Sequence, residues 1–246
     1  MELRGKTIWL VGASEGIGRA LALELANRGA QLIVSARQRE KLEALVAEMA
    51  GEGHQALVCD VANTEQVQAA YAQISQPLDA MIFAAGIYTP MGAKDWQLDA
   101  TLSTIDINLN GALRVLHAVL PPMLARRSGR IVLVSSVAAY RGLPKSMGYG
   151  ASKAAMTNLA EGLRIDLDKT GVSVQLVSPG FVKTRLTDKN DFNMPNIITP
   201  EKAATFIADG MADDRYEIHF PPAFSWFMKL MRVLPSALYF TIARRL

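Results

Sequence analysis

The sequence predicts an α/β protein: a single domain built on a doubly wound parallel sheet with helices on both faces. Two observations indicate this class. Short apolar runs, typical of buried strands, alternate along the chain with stretches whose apolar residues recur at helical spacing. The 246 residues also contain no internal repeat, low-complexity segment or linker, which favours one domain. Because right-handed crossovers join strands in this rhythm, we expect the strands to be parallel.

The first predicted element is a short strand over Thr7–Val11. A glycine-rich turn over residues 12–18 follows it, and then a helix that ends at Gly29, a residue type suited to the position after a helix. The glycine spacing is G-x-x-x-G-x-G. A strand, a glycine turn and a helix together lay backbone N–H groups and a helix N-terminus against a diphosphate. The alternative is a turn that binds no ligand.

The same alternation predicts the remaining elements. The helix at Asn63 is expected from a capping box formed by Asn63 and Gln66. In the long helical region, two adjacent prolines, Pro121 and Pro122, predict a kink or a break. In chain order the predictions are a strand at 31–35, a helix at 38–50, a strand at 55–59, the Asn63 helix, a strand at 78–83, a helical region at 98–127, a strand at 130–135, a helix at 149–169 and a strand at 172–177.

Candidate functional residues follow the predicted strands. In open parallel sheets, ligands bind beyond the carboxyl ends of the strands, so residues at these six ends are expected on one rim. After strands one to six, these are the glycine turn, Arg37, Asp60, Ala85 with Gly86, Ser136, and Pro179 with Gly180.

A tyrosine and a lysine lie four residues apart at the start of one predicted helix. Tyr149 and Lys153 therefore share a helix face. An ammonium beside a phenol favours the phenolate, so we expect the pKa of Tyr149 to fall below its usual value of about 10. Such a phenol is a general acid and base for an alcohol oxygen. The alternative is a surface pair on an amphipathic helix.

Taken together, these residues resemble the short-chain dehydrogenase/reductase family, in its short single-domain branch. The matching motifs span roughly residues 5 to 185 in the family's order: Gly12-x-x-x-Gly16-x-Gly18, Asp60-Val61, Ala85-Gly86, Asn108, Ser136, Tyr149-x-x-x-Lys153 and Pro179-Gly180-x-x-x-Thr184. The resemblance implies a Rossmann-type domain over residues 1–220 that oxidises an alcohol, or reduces a ketone or aldehyde, with NAD(P). It also implies a homodimer or homotetramer formed through the two long helices.

The resemblance assigns a role to each catalytic candidate. Tyr149 would donate or accept the proton, and Lys153 would hold the nicotinamide ribose and lower the pKa of Tyr149. Ser136 would hydrogen-bond the substrate oxygen, and Asn108 would position a water in a proton relay. Asn108 has an alternative role in bonding backbone inside the helical region. Ser135 competes with Ser136, although strand alternation and the family's thirteen-residue offset from Tyr149 favour Ser136.

The cofactor is expected to contact sixteen residues. Thr184 among them would reach the nicotinamide carboxamide, or else it is an ordinary loop residue. The set is Gly12, Ser14, Gly16, Ile17, Gly18, Arg37, Asp60, Val61, Ala85, Gly86, Tyr149, Lys153, Pro179, Gly180, Val182 and Thr184.

The residues after the second strand favour NADP over NAD. An NAD enzyme needs an acid there for the ribose 2′-hydroxyl, whereas this chain has Ala36 and then Arg37, with Arg39 and Lys41 nearby. Against this, Glu15 occupies a glycine-loop position where NADP-dependent relatives often carry a basic residue. Arg37 as an ordinary solvated charge is the alternative.

The chain departs from the family pattern after the fourth strand. Where the family usually has Asn-Asn-Ala-Gly, the sequence reads Phe83-Ala84-Ala85-Gly86. The backbone groups that the asparagines usually serve must therefore find other partners. Because Gly86 keeps the close approach to the cofactor, we expect activity to survive.

Composition excludes several other classes. A net charge of +3 is too small to indicate a nucleic-acid partner. The single cysteine, Cys59, allows no internal disulfide and favours a reducing, cytoplasmic setting. No secretory signal and no apolar run long enough to span a bilayer are present. Three scattered histidines and one cysteine predict no metal site.

Substrate specificity is expected from residues 88–91, 137–147 and 185–198. The last of these is polar and suits a mobile lid. The expected pocket wall is mostly apolar, which favours a lipophilic carbonyl or alcohol. Its members are Tyr88, Met91, Tyr140, Leu143, Met147, Phe181 and Met194.

The last segment, residues 221–246, reads as an amphipathic basic tail. Its apolar residues recur three or four apart, and it has no acidic residue. Three placements stay open: against its own domain, where it would line the substrate mouth, against a neighbouring subunit, or on a membrane surface. Its apolar positions are Phe224, Phe227, Met228, Met231, Leu234, Leu238, Ile242 and Leu246.

Two further functions compete with the reductase or dehydrogenase. One is a non-catalytic module that senses a dinucleotide, and the other is a dehydratase or epimerase on the same fold. Intact Ser136, Tyr149 and Lys153 argue against a pure binding module, because binding alone requires no proton relay.

Overall fold

The computed structural model describes residues 2–191, 194–213 and 215–244. Seven parallel strands form one sheet in the order β3-β2-β1-β4-β5-β6-β7. The order reverses between β1 and β4, which confirms the predicted doubly wound sheet. The strands are β1 Thr7–Val11, β2 Gln31–Ala36, β3 Gln55–Val58, β4 Ala80–Phe83, β5 Gly129–Val134, β6 Val172–Pro179 and β7 Glu217–Phe220.

Helices cover both faces of the sheet. On one face α1, α2 and α7 bury an apolar cluster, and on the other α3, α5 and α6 bury a second. The helices of the described chain are α1 Gly16–Asn27, α2 Arg39–Glu48, α3 Thr64–Ala72, α4 Leu98–Ile105, α5 Gly111–Ala125, α6 Met147–Asp166, α7 Pro200–Ala212, α8 Pro222–Val233 and α9 Ser236–Ala243.

Local signals in the sequence account for several helix ends. Gly29 has φ +83° after α1, the left-handed conformation that glycine adopts readily. Asn63 caps α3 by accepting from the Gln66 N–H at 2.9 Å. The capping box is only half formed, because the Gln66 side chain accepts from the Asp60 N–H instead.

The predicted helical region at 98–127 consists of two α-helices joined by a π-helical turn at Asp106–Asn110. A π-turn holds one more residue than an α-turn, and such turns often lie at functional sites. The prolines at 121 and 122 lie within α5 and do not break it.

Two elements were missing from the sequence prediction. Strand β7 is a four-residue edge strand, too short for its alternation to stand out. Helix α7 begins with Thr199 accepting from the Lys202 N–H, and Pro200 opens its first turn. Among the residues that the structure describes, no helix is both long and apolar enough to cross a membrane.

Candidate active site

A cleft of about 550 Å³ opens at the carboxyl ends of the strands, where the strand order reverses. Residues from all six predicted strand ends line it. It contains each of the sixteen residues expected to contact the cofactor, together with Ser136. Of the predicted site residues, Asn108 alone does not line this cleft.

Close backbone contacts shape the glycine turn. Gly12 has φ +96°, and a Cβ there would lie 2.4 Å from the Ala85 backbone nitrogen. A Cβ on Gly18 would lie 2.0 Å from the Gly12 carbonyl oxygen. Both positions therefore require glycine, since a side chain would collide with main chain. The turn and the start of α1 line the cleft, and the first N–H groups of a helix have no partner within it, the arrangement that binds phosphate.

After β4, where the chain departs from the family pattern, main-chain bonding holds the strand end. The Ala84 N–H donates to the Val11 carbonyl at 2.8 Å, which joins the end of β4 to β1. The backbone of Ala85, which matches the family motif, lies directly against Gly12. The Ala84 N–H, at one of the positions where the family usually carries asparagine, thus has a backbone partner.

The far side of the cleft is held by a network that sequence analysis missed. The Asp60 carboxylate accepts from the Ala62 N–H at 3.0 Å. The Arg114 side chain, from α5, donates to the Val61 carbonyl at 3.1 Å and pairs with Asp106 at 2.8 Å. This arginine fixes the loop after β3 against the π-turn.

Tyr149, Ser136 and Lys153 meet at the end of the cleft. The Ser136 and Tyr149 side chains both line this end of the cleft, and Ser136 acts to lower the pKa of the Tyr149 hydroxyl. Lys153 is buried, its Nζ donates to the Val134 carbonyl at 2.9 Å, and it lies 5.7 Å from the centre of the Tyr149 ring. The Ser135 hydroxyl instead donates to the Lys153 carbonyl at 2.9 Å. Ser136 is therefore the serine beside the phenol.

The expected fall in the pKa of Tyr149 is wrong for this arrangement. Burial raises the pKa of Tyr149, although the hydrogen bond from Ser136 acts in the opposite direction. Burial also lowers the pKa of Lys153 to about 8. The prediction of a lowered Tyr149 pKa depended on attraction between the Lys153 ammonium and the phenolate. Desolvation of the two side chains has the larger effect here.

Asn108 projects from the π-turn into the protein interior and is fully buried. Its side-chain oxygen accepts from the Ile87 N–H at 2.8 Å, and its amide donates to the Ile87 carbonyl at 3.0 Å and to the Ser152 hydroxyl at 3.0 Å. Asn108 thus bonds backbone groups, as its alternative role predicted. These groups belong to the loop after β4 and not to the helical region itself. Through Ser152, it also contacts the helix that carries Tyr149.

Charged side chains surround the opposite end of the cleft. Arg37 is exposed on its rim, and within the described residues no carboxylate forms an ion pair with it. Glu15 pairs with Arg185 at 2.9 Å and with Lys41 at 3.6 Å. The negative charge of the glycine loop is therefore offset by two cations.

A second cavity of about 710 Å³ adjoins the cleft. Ser136 and Tyr149 line both spaces. Of the seven expected wall residues, Tyr88, Leu143 and Phe181 line the second cavity, whereas Met91, Tyr140, Met147 and Met194 do not. Helix α8 supplies four further wall residues that were not among the seven expected ones. These are Ala223, Phe224, Phe227 and Met228.

The segment at 185–198 closes one side of the second cavity. Lys189 donates to the Tyr88 carbonyl at 2.7 Å, and Lys145 pairs with Asp191 at 2.6 Å. Residues 192 and 193 of this predicted lid lie outside the described residues. In the part that the structure covers, no group of three or more acidic, histidine or cysteine side chains could hold a metal ion.

The tail lies against its own domain in the structure. Met228 packs with Val137 and Tyr140, and Phe224 stacks on Phe181 with ring centres 5.1 Å apart. Lys229 pairs with Glu217 of β7 at 2.7 Å. Residues 245 and 246, part of the predicted amphipathic pattern, fall outside the described chain.

Comparison with known proteins identifies relatives along the whole chain. The family model described as short chain dehydrogenase matches residues 6–194. An uncharacterized oxidoreductase of Myxococcus xanthus is 37% identical over 251 residues, which covers 100% of this chain and 99% of that protein. An uncharacterized oxidoreductase of Staphylococcus saprophyticus is 33% identical over 83% of this chain and 90% of its own length.

Solved structures share the fold. A short chain dehydrogenase from Burkholderia cenocepacia, crystallised in complex with NADP, superposes with a TM-score of 0.87 over 98% of both chains at 24% identity. A structure described as a putative betaketoacyl-ACP reductase gives a TM-score of 0.77 at 28% identity, over 89% of this chain and 97% of that one.

Proposed function

This chain belongs to the short-chain dehydrogenase/reductase family of oxidoreductases, and we propose that it interconverts an alcohol with a ketone or aldehyde, using NADP. The observation that carries the proposal is the position of Ser136 and Tyr149 on the wall shared by the two cavities. One cavity suits a dinucleotide and the other an organic substrate, so the two hydroxyls lie where the reacting atoms would meet.

The cleft fits a dinucleotide by its shape. Gly12 and Gly18 let the glycine turn pack closely on main chain, and Gly86 lies beside Lys153 on the cleft wall. When bound, the nicotinamide would supply or accept the hydride. Lys153 lies below Tyr149, with its Nζ 3.5 Å from a Cβ built on Gly86, and would bond the nicotinamide ribose.

The side chains of the shared wall handle the proton. In reduction, the Tyr149 hydroxyl donates a proton to the substrate oxygen, and the Ser136 hydroxyl donates a hydrogen bond to the same atom as it gains negative charge. In alcohol oxidation, Tyr149 accepts the proton. The nearby Lys153 ammonium stabilises the phenolate, and Asn108 holds the Ile87 backbone and, through Ser152, the helix of Tyr149 in place.

Charge at the end of β2 supports NADP as the cofactor. The strand ends at Ala36, not at an acid, and the exposed Arg37 follows it. A guanidinium binds a phosphate well, and Glu15 is already paired with Arg185 and Lys41. The related Burkholderia structure, which contains NADP, also supports this choice.

The second cavity supports a lipophilic substrate. Val137, Leu143, Phe181, Phe224 and Met228 contribute apolar surface to it. An apolar chain on the substrate would bury its surface against these side chains. The four tail residues that line this cavity, Ala223, Phe224, Phe227 and Met228, are in this proposal part of the substrate site.

We include a homodimer or homotetramer and a cytoplasmic setting in the proposal. Leu113 on α5 and Ile165 on α6 are exposed apolar residues on the two long helices, and these suit an intersubunit contact. The buried Cys59 thiol is compatible with a reducing environment. Sedimentation velocity of the purified chain measures the oligomeric state, and a monomer would contradict the proposed homodimer or homotetramer.

The reaction is tested by following the near-ultraviolet absorbance of reduced cofactor with a panel of ketones, aldehydes and ketoacyl thioesters. We expect consumption with apolar carbonyls. Tight cofactor binding without turnover of any carbonyl or alcohol would instead favour a dinucleotide-sensing module. Product formation without net cofactor oxidation would favour a dehydratase or epimerase.

Cofactor choice is tested by dissociation constants for NADPH and NADH. We expect NADPH to bind more tightly, and Arg37→Ala to weaken NADPH by about tenfold with little effect on NADH. Arg39→Ala is the matched control, since Arg39 already pairs with Glu43 and does not line the cleft. Tighter binding of NADH to the parent chain would overturn the NADP assignment.

A further inference from the structure

The last two helices expose several large apolar side chains. On α8, Trp226, Leu230 and Val233 are spaced four and three residues apart and are 62%, 59% and 74% exposed. On α9, Leu238 and Phe240 are 49% and 54% exposed. We call these five residues the tail face. Such a concentration of exposed apolar surface indicates an interaction site.

The tail face belongs to an anchored structure and not to a frayed end. The Arg141 guanidinium donates to the Met231 carbonyl at 3.2 Å and to the Leu234 carbonyl at 2.7 Å, which secures the end of α8. The same guanidinium lies 4.2 Å from the centre of the Tyr239 ring, and the Tyr239 hydroxyl donates to the Gly142 carbonyl. Both helices are therefore fixed to the domain by their inner faces while the outer faces stay uncovered.

The tail segment itself carries charge of one sign, and two of its cations face carboxylates of the domain: Lys229 pairs with Glu217 at 2.7 Å, and Arg232 lies 3.9 Å from Glu161. No acidic residue occurs from position 221 to the end, whereas the segment contains Lys229, Arg232, Arg244 and Arg245. Lys229 lies 5.1 Å from the centre of the Trp226 ring, and Arg232 is about half exposed. Cations beside exposed tryptophan and leucine are the composition of helices that lie in a lipid interface.

The same composition argues against a second copy of this chain as the partner. A twofold interface apposes the same surface of both subunits. Two acid-free tails would then bring arginine towards arginine, with no carboxylate of the segment to pair them. An anionic lipid surface, by contrast, complements the charge and the apolar side chains together.

The tail face is continuous with the wall of the second cavity. Phe227 is 45% exposed at the surface and also lines the cavity. It neighbours Trp226 of the tail face along the helix and Met228, which is buried beside the cavity. Helix α8 thus separates the substrate cavity from the tail face by the width of one helix.

We propose that the tail face rests on an anionic lipid surface and that the substrate is an apolar carbonyl or alcohol that enters from this surface beside Phe227. The docking part stands on the exposed face and its charge. The substrate part rests on the proposed function.

Docking is tested with the full chain and vesicles of phosphatidylcholine, with and without an equal part of phosphatidylglycerol. We expect the parent chain to float with the anionic vesicles. Trp226→Ser with Leu230→Ser should lower partitioning by about tenfold or more, because two apolar side chains lose their burial. Arg232→Gln with Arg244→Gln should lower it by about fivefold per charge, on anionic vesicles only.

The matched control is Leu98→Ser with Leu102→Ser, on α4. These two leucines have the same four-residue spacing and are 60% and 55% exposed. This variant should float like the parent chain. Equal partitioning of the parent and the tail-face variant, or no flotation of the parent, would overturn the proposal. A lower sedimentation mass without lipid for the tail-face variant than for the parent and the control would also overturn the proposal. A second copy of the chain would then cover this face in the parent.

Activity separates the two parts of the inference. The tail-face variant should keep the parent rate on a short soluble carbonyl, since Trp226 and Leu230 do not line either cavity. It should lose about tenfold on a long-chain carbonyl supplied in anionic vesicles. Equal rates of the parent and the tail-face variant on the long-chain carbonyl in vesicles would overturn the entry route. If neither chain turns over any substrate, the proposed function fails while the flotation result still decides docking.

Discussion

The cofactor cleft and the substrate cavity share Tyr149 but are built differently. Main chain dominates the cleft: Gly12 contacts the backbone of Ala85, and Gly18 contacts the carbonyl of Gly12. Side chains dominate the cavity, and they come from segments far apart in sequence, such as Phe181 and Phe224. A cleft built from backbone tolerates little change, whereas a cavity built from side chains can change its specificity by substitution without loss of the fold.

The largest effect is expected at the wall that the two spaces share. Tyr149→Phe removes the hydroxyl that transfers the proton, and general acid–base catalysis contributes about 10²–10⁴-fold to rate. We expect turnover to fall by that factor while the dissociation constant for NADPH changes little. Steady-state kinetics and a cofactor titration measure the two. A variant that retains more than a few per cent of the parent rate would refute the role of Tyr149.

The next largest effect concerns the backbone of the cleft. Gly12→Ala places a methyl group 2.4 Å from the Ala85 nitrogen, at φ +96°. We expect a stability loss of about 1–3 kcal/mol from backbone strain and a large loss of cofactor affinity. Gly162→Ala is the matched control, because a Cβ there meets nothing within 4 Å. Within α6, that substitution should stabilise by about 0.5–1 kcal/mol. Unchanged cofactor binding in Gly12→Ala would contradict the view that the main chain of the cofactor cleft tolerates little change.

Lys153 provides a test that uses pH. Burial lowers its pKa from 10.5 to about 8, so between these values the folded chain binds fewer protons than the unfolded chain. The stability of the parent chain should therefore rise with pH across this window. Lys153→Met lacks the buried charge and should be more stable at pH 7, by about 2 kcal/mol after the loss of the bond to Val134. Urea unfolding at pH 7 and near pH 10 measures this. A variant less stable than the parent at pH 7 would show that the lysine is not costly to bury.

The smallest effect is expected in the substrate cavity. Phe224→Ala removes a ring that stacks on Phe181, and we expect kcat/KM for a bulky apolar substrate to fall by about tenfold, with a smaller change for a short one. Cofactor affinity should not change. Phe240→Ala is the control, because Phe240 is exposed and does not line the cavity. An equal loss for both substrates would show that α8 supports the fold rather than specificity.

The sequence was informative about the cleft because its requirements are local. A left-handed residue at Gly12, a helix beginning at Gly16 and an apolar strand before them are each written in a few neighbouring residues. The parallel sheet then brings six strand ends to one rim. These strand ends, together with the family resemblance, account for the sixteen expected cofactor residues, all of which line the cleft.

The substrate side and the electrostatics could not be derived in the same way. Phe224 reaches Phe181 across more than forty residues, and the apolar spacing of α8 does not indicate which face covers the cavity. The pKa of Tyr149 depends on how much water the whole pocket excludes, which helix spacing with Lys153 does not indicate. The position of Arg114 against Val61 likewise depends on the π-turn.

The π-turn at Asp106–Asn110 limits how this stretch can vary in length. Deleting one residue from it would restore ordinary helical winding within the turn and change which side chain the turn directs into the interior. The Asn108 amide would then leave the Ile87 backbone. Surface loops of this chain can absorb insertions and deletions, but here the number of residues is as constrained as their identity.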